Sequence, residues 1–252
     1  RASKWSTVNL IKFAACVVIL LAVGYTVNFN KIEKTPDKNV SVNIISRKTP
    51  KGVKTNLSLP DGSKVKVNAN SEIRFPDSYL QASDRTVFLK GEAFFNVKKN
   101  KIKPFKVLTE KLEIQVLGTS FDVKCYPSFN KVYIAVVEGK VEVKSELESI
   151  VLTPGEMGVV DQGKIMVMPF DKEEILGWKD GILYYKDENF DEVLQKLEYW
   201  YGVEFEINGN RRGLTHFSGK YQNKPLTTVL KGLSFAAGFK YSINDNKVTI
   251  NF

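Results

Sequence analysis

Side chains able to do chemistry are few and scattered. There is one histidine, His216, in a strand-like run with no partner motif around it. An imidazole without a carboxylate, thiol or second histidine at a recognisable spacing reads as an ordinary histidine, not as a base or ligand. Two cysteines occur, Cys16 and Cys125. A zinc site needs four such ligands, and one histidine with one cysteine outside the apolar N-terminal run cannot supply them. Cys16 lies inside that run, so no intramolecular disulfide is expected. No P-loop, no G-x-G-x-x-G and no G-x-S-x-G occurs. Carboxylates are plentiful, but no spacing singles out an acid–base pair, and they read as a solvated face. The expectation is a chain that is not an enzyme, with no catalytic, cofactor-binding or metal-binding residue and no cofactor.

Aromatic residues are the other chemistry on offer. Tyr184, Tyr185, Tyr199, Trp200, Tyr201 and Tyr221 crowd the C-terminal part. Such a density serves a carbohydrate or protein surface, or fills a small core. The formal net charge is +9, but lysines and acids are interspersed and no block of five like charges appears. That is a cationic soluble surface rather than a nucleic-acid footprint.

The elements that must position these residues begin with Leu10–Val27, uncharged from Phe13 onward. As a helix it would span ~27 Å, close to a hydrocarbon core. Arg1 and Lys4 precede it without an acid, while Lys31, Glu33, Lys34, Asp37 and Lys38 follow. The positive-inside rule puts the N-terminus in the cytoplasm and the bulk of the chain outside. Residues 1–9 read as the stub of a longer cytoplasmic part. Gly24-Tyr25-Thr26-Val27 is a poor signal-peptidase site. Phe13-Ala14-Ala15-Cys16 resembles a lipoprotein box, but with an atypical Phe and a short polar stretch before it. A transmembrane helix over residues 10–27 is therefore expected, then a polar tether over 28–49 with one short strand at Val40–Ile45.

From 50 to 169 the apolar period is two. Val65 and Val67, Val132, Ile134 and Val136, and Val141 and Val143 each fall at alternate places. Turn signals at Asp61-Gly62, Gly91, Gly118, Glu138-Gly139, Pro154-Gly155 and Gln162-Gly163 separate the runs. Short alternating strands at this spacing predict an all-β sandwich or roll.

From Trp178 to the end the period changes. Phe190, Val193, Leu194, Leu197 and Tyr201 share one helical face, with Asn189 as N-cap and Gly202 as the stop. Leu226, Val229, Leu230 and Leu233 repeat that face 36 residues later, Gly238 repeats the stop, and Phe239-x-Tyr241-x-Ile243 repeats Val203-x-Phe205-x-Ile207. The prediction for 178–252 is a small α/β domain of two β-α-β repeats that share one sheet, with both helices on one face. Both glycines are expected in the left-handed conformation, and if they form Schellman turns Val203 should touch Leu197 and Phe239 should touch Leu233. Tyr199 and Phe235 each lie nine residues past the first face position of their helix, about 180° from the buried stripe. Either the rings tuck under a loop or against the β domain, or they form an exposed patch that docks another protein. Tyr199 and Phe235 are the partner-binding candidates.

Several runs are also similar to a known family. Leu57-Ser58-Leu59-Pro60-Asp61-Gly62-Ser63, Arg85–Val97, Pro104-Phe105-x-Val107, Val116-Leu117-Gly118-Thr119-Ser120-Phe121-Asp122-Val123 and Val137-Glu138-Gly139-Lys140-Val141 resemble the periplasmic FecR domain in its own order. The tail from Trp178 resembles the small domain that follows it in Bacteroidetes-type proteins, which is similar to the secretin/TonB short N-terminal (STN) fold. The resemblance implies a transmembrane anti-sigma regulator of the inner membrane. Its cytoplasmic part, missing here, holds an extracytoplasmic-function sigma factor. Its periplasmic part senses the signalling domain of an outer-membrane TonB-dependent transporter. The family brings no catalytic residue. The alternative is a periplasmic glycan- or ligand-binding module without sigma regulation, suggested by the Tyr and Trp content.

Overall fold

The computed structural model describes residues 43–210 and 216–252, with Val17 alone before them. The expected membrane span Leu10–Val27 lies, Val17 apart, outside the described residues, as does most of the expected tether. Among the described residues no helix is long and apolar enough to cross a membrane. The last six residues of the stretch read as a tether, Ile44–Thr49, form β1.

Thirteen strands build the region up to Pro169, and the fifth organises them. β5 (Arg85–Asn96) is twelve residues long and takes part in two layers. Its first half pairs antiparallel with β4 (Ser71–Pro76) and parallel with β6 (Phe105–Leu108). Its second half pairs antiparallel with β3 (Lys64–Val67) and β8 (Ser120–Cys125). One layer thus runs β1, β4, β5, β6, then β7 (Glu113–Val116), β10 (Val141–Lys144) and β11 (Ser149–Leu152). The other runs β2 (Thr55–Ser58), β3, β5, β8, then β9 (Val132–Glu138), β12 (Glu156–Asp161) and β13 (Lys164–Pro169).

The alternating valines and isoleucines named above fill the space between the layers, each less than a tenth exposed. Phe95, Phe105 and Phe121 meet at the centre, with Phe95 stacked on Phe121 at 5.2 Å.

Gly91 stands where the strand changes partners. Its place among the turn signals suggests a turn or a bulge, and it lies inside β5 where the strand passes between layers. Its φ is +103°, and a Cβ there would sit 2.3 Å from Ser71 Oγ. That hydroxyl accepts from the Glu92 N–H at 2.9 Å and donates to the Ala69 carbonyl at 3.0 Å, so it has no room to yield. The Asp61-Gly62 turn between β2 and β3 forms as expected, closed by Leu59 N–H to Ser63 O at 2.9 Å. Burial alone would raise the Asp61 carboxyl. Hydrogen bonds from Ser63 and from Arg85 outweigh it and hold the group below the ordinary value. Arg85, 2% exposed, reaches Asp61 at 2.8 Å and also donates to the carbonyls of Lys98 and Lys103.

A short helix α1 (Lys172–Leu176), capped by Asp171, and a 3-10 turn (Gly177–Asp180) lead into the C-terminal region. There β14 (Ile182–Glu188), α2 (Phe190–Tyr201) and β15 (Glu204–Asn208) are followed by β16 (Phe217–Gln222), α3 (Leu226–Ala237), β17 (Lys240–Asn244) and β18 (Lys247–Asn251). Asn189 and Glu192 form a capping box. Gly202 and Gly238 end the helices at φ +72° and +75°.

Each helix ends by the single bond of the αL motif, Gly202 N–H to Glu198 O and Gly238 N–H to Ser234 O, both 2.9 Å, and not by a Schellman turn. One expectation is corrected: the strands do not share one sheet. β14 pairs antiparallel with β16, while β18 lies between β15, to which it is parallel, and β17, to which it is antiparallel. β18 forms a hairpin with β17 and takes the central place, which leaves β14 and β15 no common edge. The equivalent strands, β14 with β16 and β15 with β17, therefore run in opposite directions. Their apolar faces meet in one core of Leu183, Tyr185, Phe190, Leu197, Leu230 and Phe239 with their neighbours.

Candidate functional site

Strand alternation decides what the second layer shows on its outer face. With Val65, Val67, Ala93, Phe95, Phe121, Val123, Ile134 and Val160 inward, the outward residues fall into two rows in register. One runs Lys66, Phe94, Asp122, Ala135, Met157. The other runs Glu92, Lys124, Tyr133, Val159. An outward face carrying Phe94, Tyr133, Ala135, Met157 and Val159 is too apolar for water, and the rest of the chain covers part of it. Phe170 and Ile175 of the linker pack on Ala135, Met157 and Val159. Trp178 lies over Asp122 and donates its indole N–H at 3.2 Å. Lys66 donates to the Lys179 carbonyl, and the Lys179 ammonium stands 5.4 Å from the Phe94 ring centre.

α2 closes the other side. Its last turn rests on the β region through Tyr199, whose ring meets Tyr126 at 5.1 Å and whose hydroxyl is 3.2 Å from Ser128 Oγ. The turn of residues 50–54, between β1 and β2, holds the helix end from below. Gly52 N–H donates to the Tyr199 carbonyl at 2.8 Å, Lys51 pairs with Glu198 at 3.0 Å, and Lys54 Nζ sits 3.0 Å from the centre of the Trp200 ring.

Between these contacts a cleft of about 260 Å³ remains open. Its floor is Glu92, Asp122 and Lys124, and its walls are Tyr126, Tyr133, Trp178, Tyr184, Tyr199 and Trp200. Asn68 Nδ2 donates to Glu92 at 2.6 Å. Burial, with the Glu92 charge beside it, pushes the Asp122 carboxyl well above the ordinary value. Burial pulls Lys54 down to about 8 against the opposing pull of Glu92, with Lys66 adding to the fall. Burial raises the Tyr126 phenol in the same way.

The residues singled out from sequence are placed as follows. Tyr199 is half-buried on the cleft. Phe235, its equivalent in α3, is 93% exposed and touches nothing there. The structure does not bring the two together, because α2 faces the β region and the outer side of α3 faces solvent. His216 is exposed just before β16. Cys125 is a free thiol, pushed up to about 12 by burial. Among the described residues no three His, Cys, Asp or Glu side chains group as a metal ion would require. Glu92 and Asp122 were missed. Their signal was the apolar company they keep on the outward side of β5, β8 and β9.

A match to the FecR protein family spans residues 46–142, and a match to the FecR C-terminal family spans residues 182–250. A crystal structure of a candidate anti-sigma factor from Parabacteroides distasonis ATCC 8503 is 30% identical, with a TM-score of 0.72 over 82% of this chain and 98% of its own. The chain belongs to the family of FecR-type anti-sigma factors. A second crystal structure, described in the same words and from the same organism, is 29% identical with a TM-score of 0.73, over 83% of this chain and 99% of its own. No curated protein matches. In FecR terms the cleft lies where the FecR region meets the FecR C-terminal region, and both contribute to its walls.

Proposed function

We propose that this chain is the periplasmic sensing part of a non-enzymatic regulator anchored in the inner membrane by Leu10–Val27. It relays a signal from an outer-membrane TonB-dependent transporter to an extracytoplasmic-function sigma factor. The sigma factor is held on the cytoplasmic side of the anchor. The observation that carries this reading is the likeness to almost the full length of a candidate anti-sigma factor. The C-terminal region, read as STN-like, receives the transporter's signalling domain, with exposed Phe235 as a docking residue. The junction suggests the route inward: the end of α2 is held by the turn that directly follows β1, the strand formed by the last residues of the stretch read as a tether. A polar tether carries a push across the membrane poorly, and regulated proteolysis near the anchor is the last step.

The test is capture of the transporter's signalling domain by the full chain, together with a sigma-dependent reporter in cells that carry the parent protein. Absence of capture and a reporter indifferent to removal of the region from Val42 onward would overturn the relay. An epitope-tagged parent protein that stays full-length while sigma is released would overturn proteolysis alone.

A further inference from the structure

We infer that the cleft between the two regions is a binding site for a neutral pyranose sugar, either free or as one residue of an oligosaccharide. The inference goes beyond the transporter relay and does not depend on it.

Charge argues against an ionic ligand. The charged groups lining the cleft have opposite charges near them, although on Asp122 the like charge of Glu92 weighs more than Lys124 and Lys179. Glu92 stands opposite Lys124 in the strand register, and Asp122 has Lys124 and Lys179 near. Glu174 pairs with Lys186 at 3.2 Å, and Lys196 with Glu188. A cation or an anion would find no excess of opposite charge to offset its own desolvation. A neutral ligand with many hydroxyls meets donors and acceptors in balance.

Both kinds are available. Asn68 occupies one Glu92 oxygen and Trp178 one Asp122 oxygen. The second oxygen of each is not a buried atom left without a partner and is open to the cleft that the two residues line. These oxygens accept, while Lys124 Nζ and the Gln195 amide donate. Tyr184, and those parts of Tyr199 and Trp200 not covered by Tyr126, Lys51 and Lys54, supply apolar aromatic surface for the C–H side of a pyranose. Few precisely placed polar groups within aromatic walls are the general form of a small-molecule site, and about 260 Å³ is sized for a single ring rather than an extended ligand.

The test uses the full chain in a detergent without a sugar headgroup, titrated with glucose, galactose, mannose, N-acetylglucosamine and their common disaccharides. Tryptophan fluorescence reports directly, since Trp178 and Trp200 line the cleft, and calorimetry checks it. At least one sugar is expected to saturate the signal and raise the melting temperature. Lys124→Ala and Gln195→Ala, both at half-exposed positions outside the core, should each weaken that sugar about five- to tenfold, the effect of one hydrogen bond. No saturation by any sugar up to about 10 mM would overturn the inference. So would binding untouched by both variants. A response to putrescine or choline instead of sugars would assign the cleft to cations and overturn it equally.

Discussion

Gly52 and Gly202 meet backbone to backbone. A Cβ on Gly52 would lie 3.0 Å from the Gly202 nitrogen, and a Cβ on Gly202 would lie 3.0 Å from the Lys51 carbonyl oxygen. Both residues have positive φ, +79° and +72°. The turn after β1 can therefore touch the end of α2 only because neither residue carries a side chain.

Gly52→Ala should cost more stability than Gly238→Ala. Gly238 has a similar φ, +75°, but open space around it. Its substitution carries only the left-handed strain of about 1–2 kcal/mol. Gly52→Ala adds the collision with Gly202, and urea denaturation of the two variants reads the difference. Equal losses would mean that the junction yields freely.

Asp122→Asn should stabilise the protein at pH 8 and change it little at pH 4. The folded chain holds the Asp122 carboxyl above its ordinary value of 3.8. Its contribution favours folding below that value and is lost as pH rises through the folded pKa. Above it, the ionised group is buried beside Glu92, with Lys124 and Lys179 as partial compensation. Asn keeps an acceptor for the Trp178 N–H and removes the charge. Denaturation at the two pH values checks the sign.

Tyr199→Ala and Phe235→Ala should behave oppositely. Removing Tyr199 takes away the Tyr126 contact and the Ser128 hydrogen bond, for a loss of about 2 kcal/mol. Removing Phe235, which packs on nothing, should shift stability by less than about 0.5 kcal/mol and weaken capture of the transporter domain at least about tenfold. Melting curves and binding measured on the same two variants separate these effects.

Arg85→Met should cost about 3–5 kcal/mol, because it leaves Asp61 buried without its partner. The variant should also lose part of the acid sensitivity that Asp61 confers, since the two Ser63 hydrogen bonds remain. A carboxyl held below its ordinary value stabilises above that value, and the gain fades as pH falls through the folded pKa. Urea melts of both chains from pH 7 to pH 2 measure it.

The local rules were readable in the sequence. Alternation placed Val65, Val67, Ile134 and Val143 inside, and the 3.6-residue period with Asn189 and Gly202 drew α2 within a residue of its ends. Partnership between distant strands was not readable. Nothing local to β5 and β6 says that they pair in parallel. The hairpin of β17 and β18 gives no sign that it will split the repeats between two sheets. The cleft was hidden for the same reason. Asp122 occupies an ordinary outward position between Phe121 and Val123, and only the folded chain brings Trp178 over it. Tyr199 and Phe235 are equivalent by periodicity, but what each faces is set by the β region, beyond the reach of a helical wheel.

The division of β5 between two layers also orders the events of synthesis. As the chain emerges, β1 can pair with β4, and β2 with β3. β5 is the strand that then binds these two ribbons to each other, through β4 in one layer and β3 in the other. Until Asn96 has been delivered the ribbons lack the strand that pairs with both, and part of their apolar surface waits uncovered. A nascent chain stalled before that point is the form most exposed to chaperones and proteases.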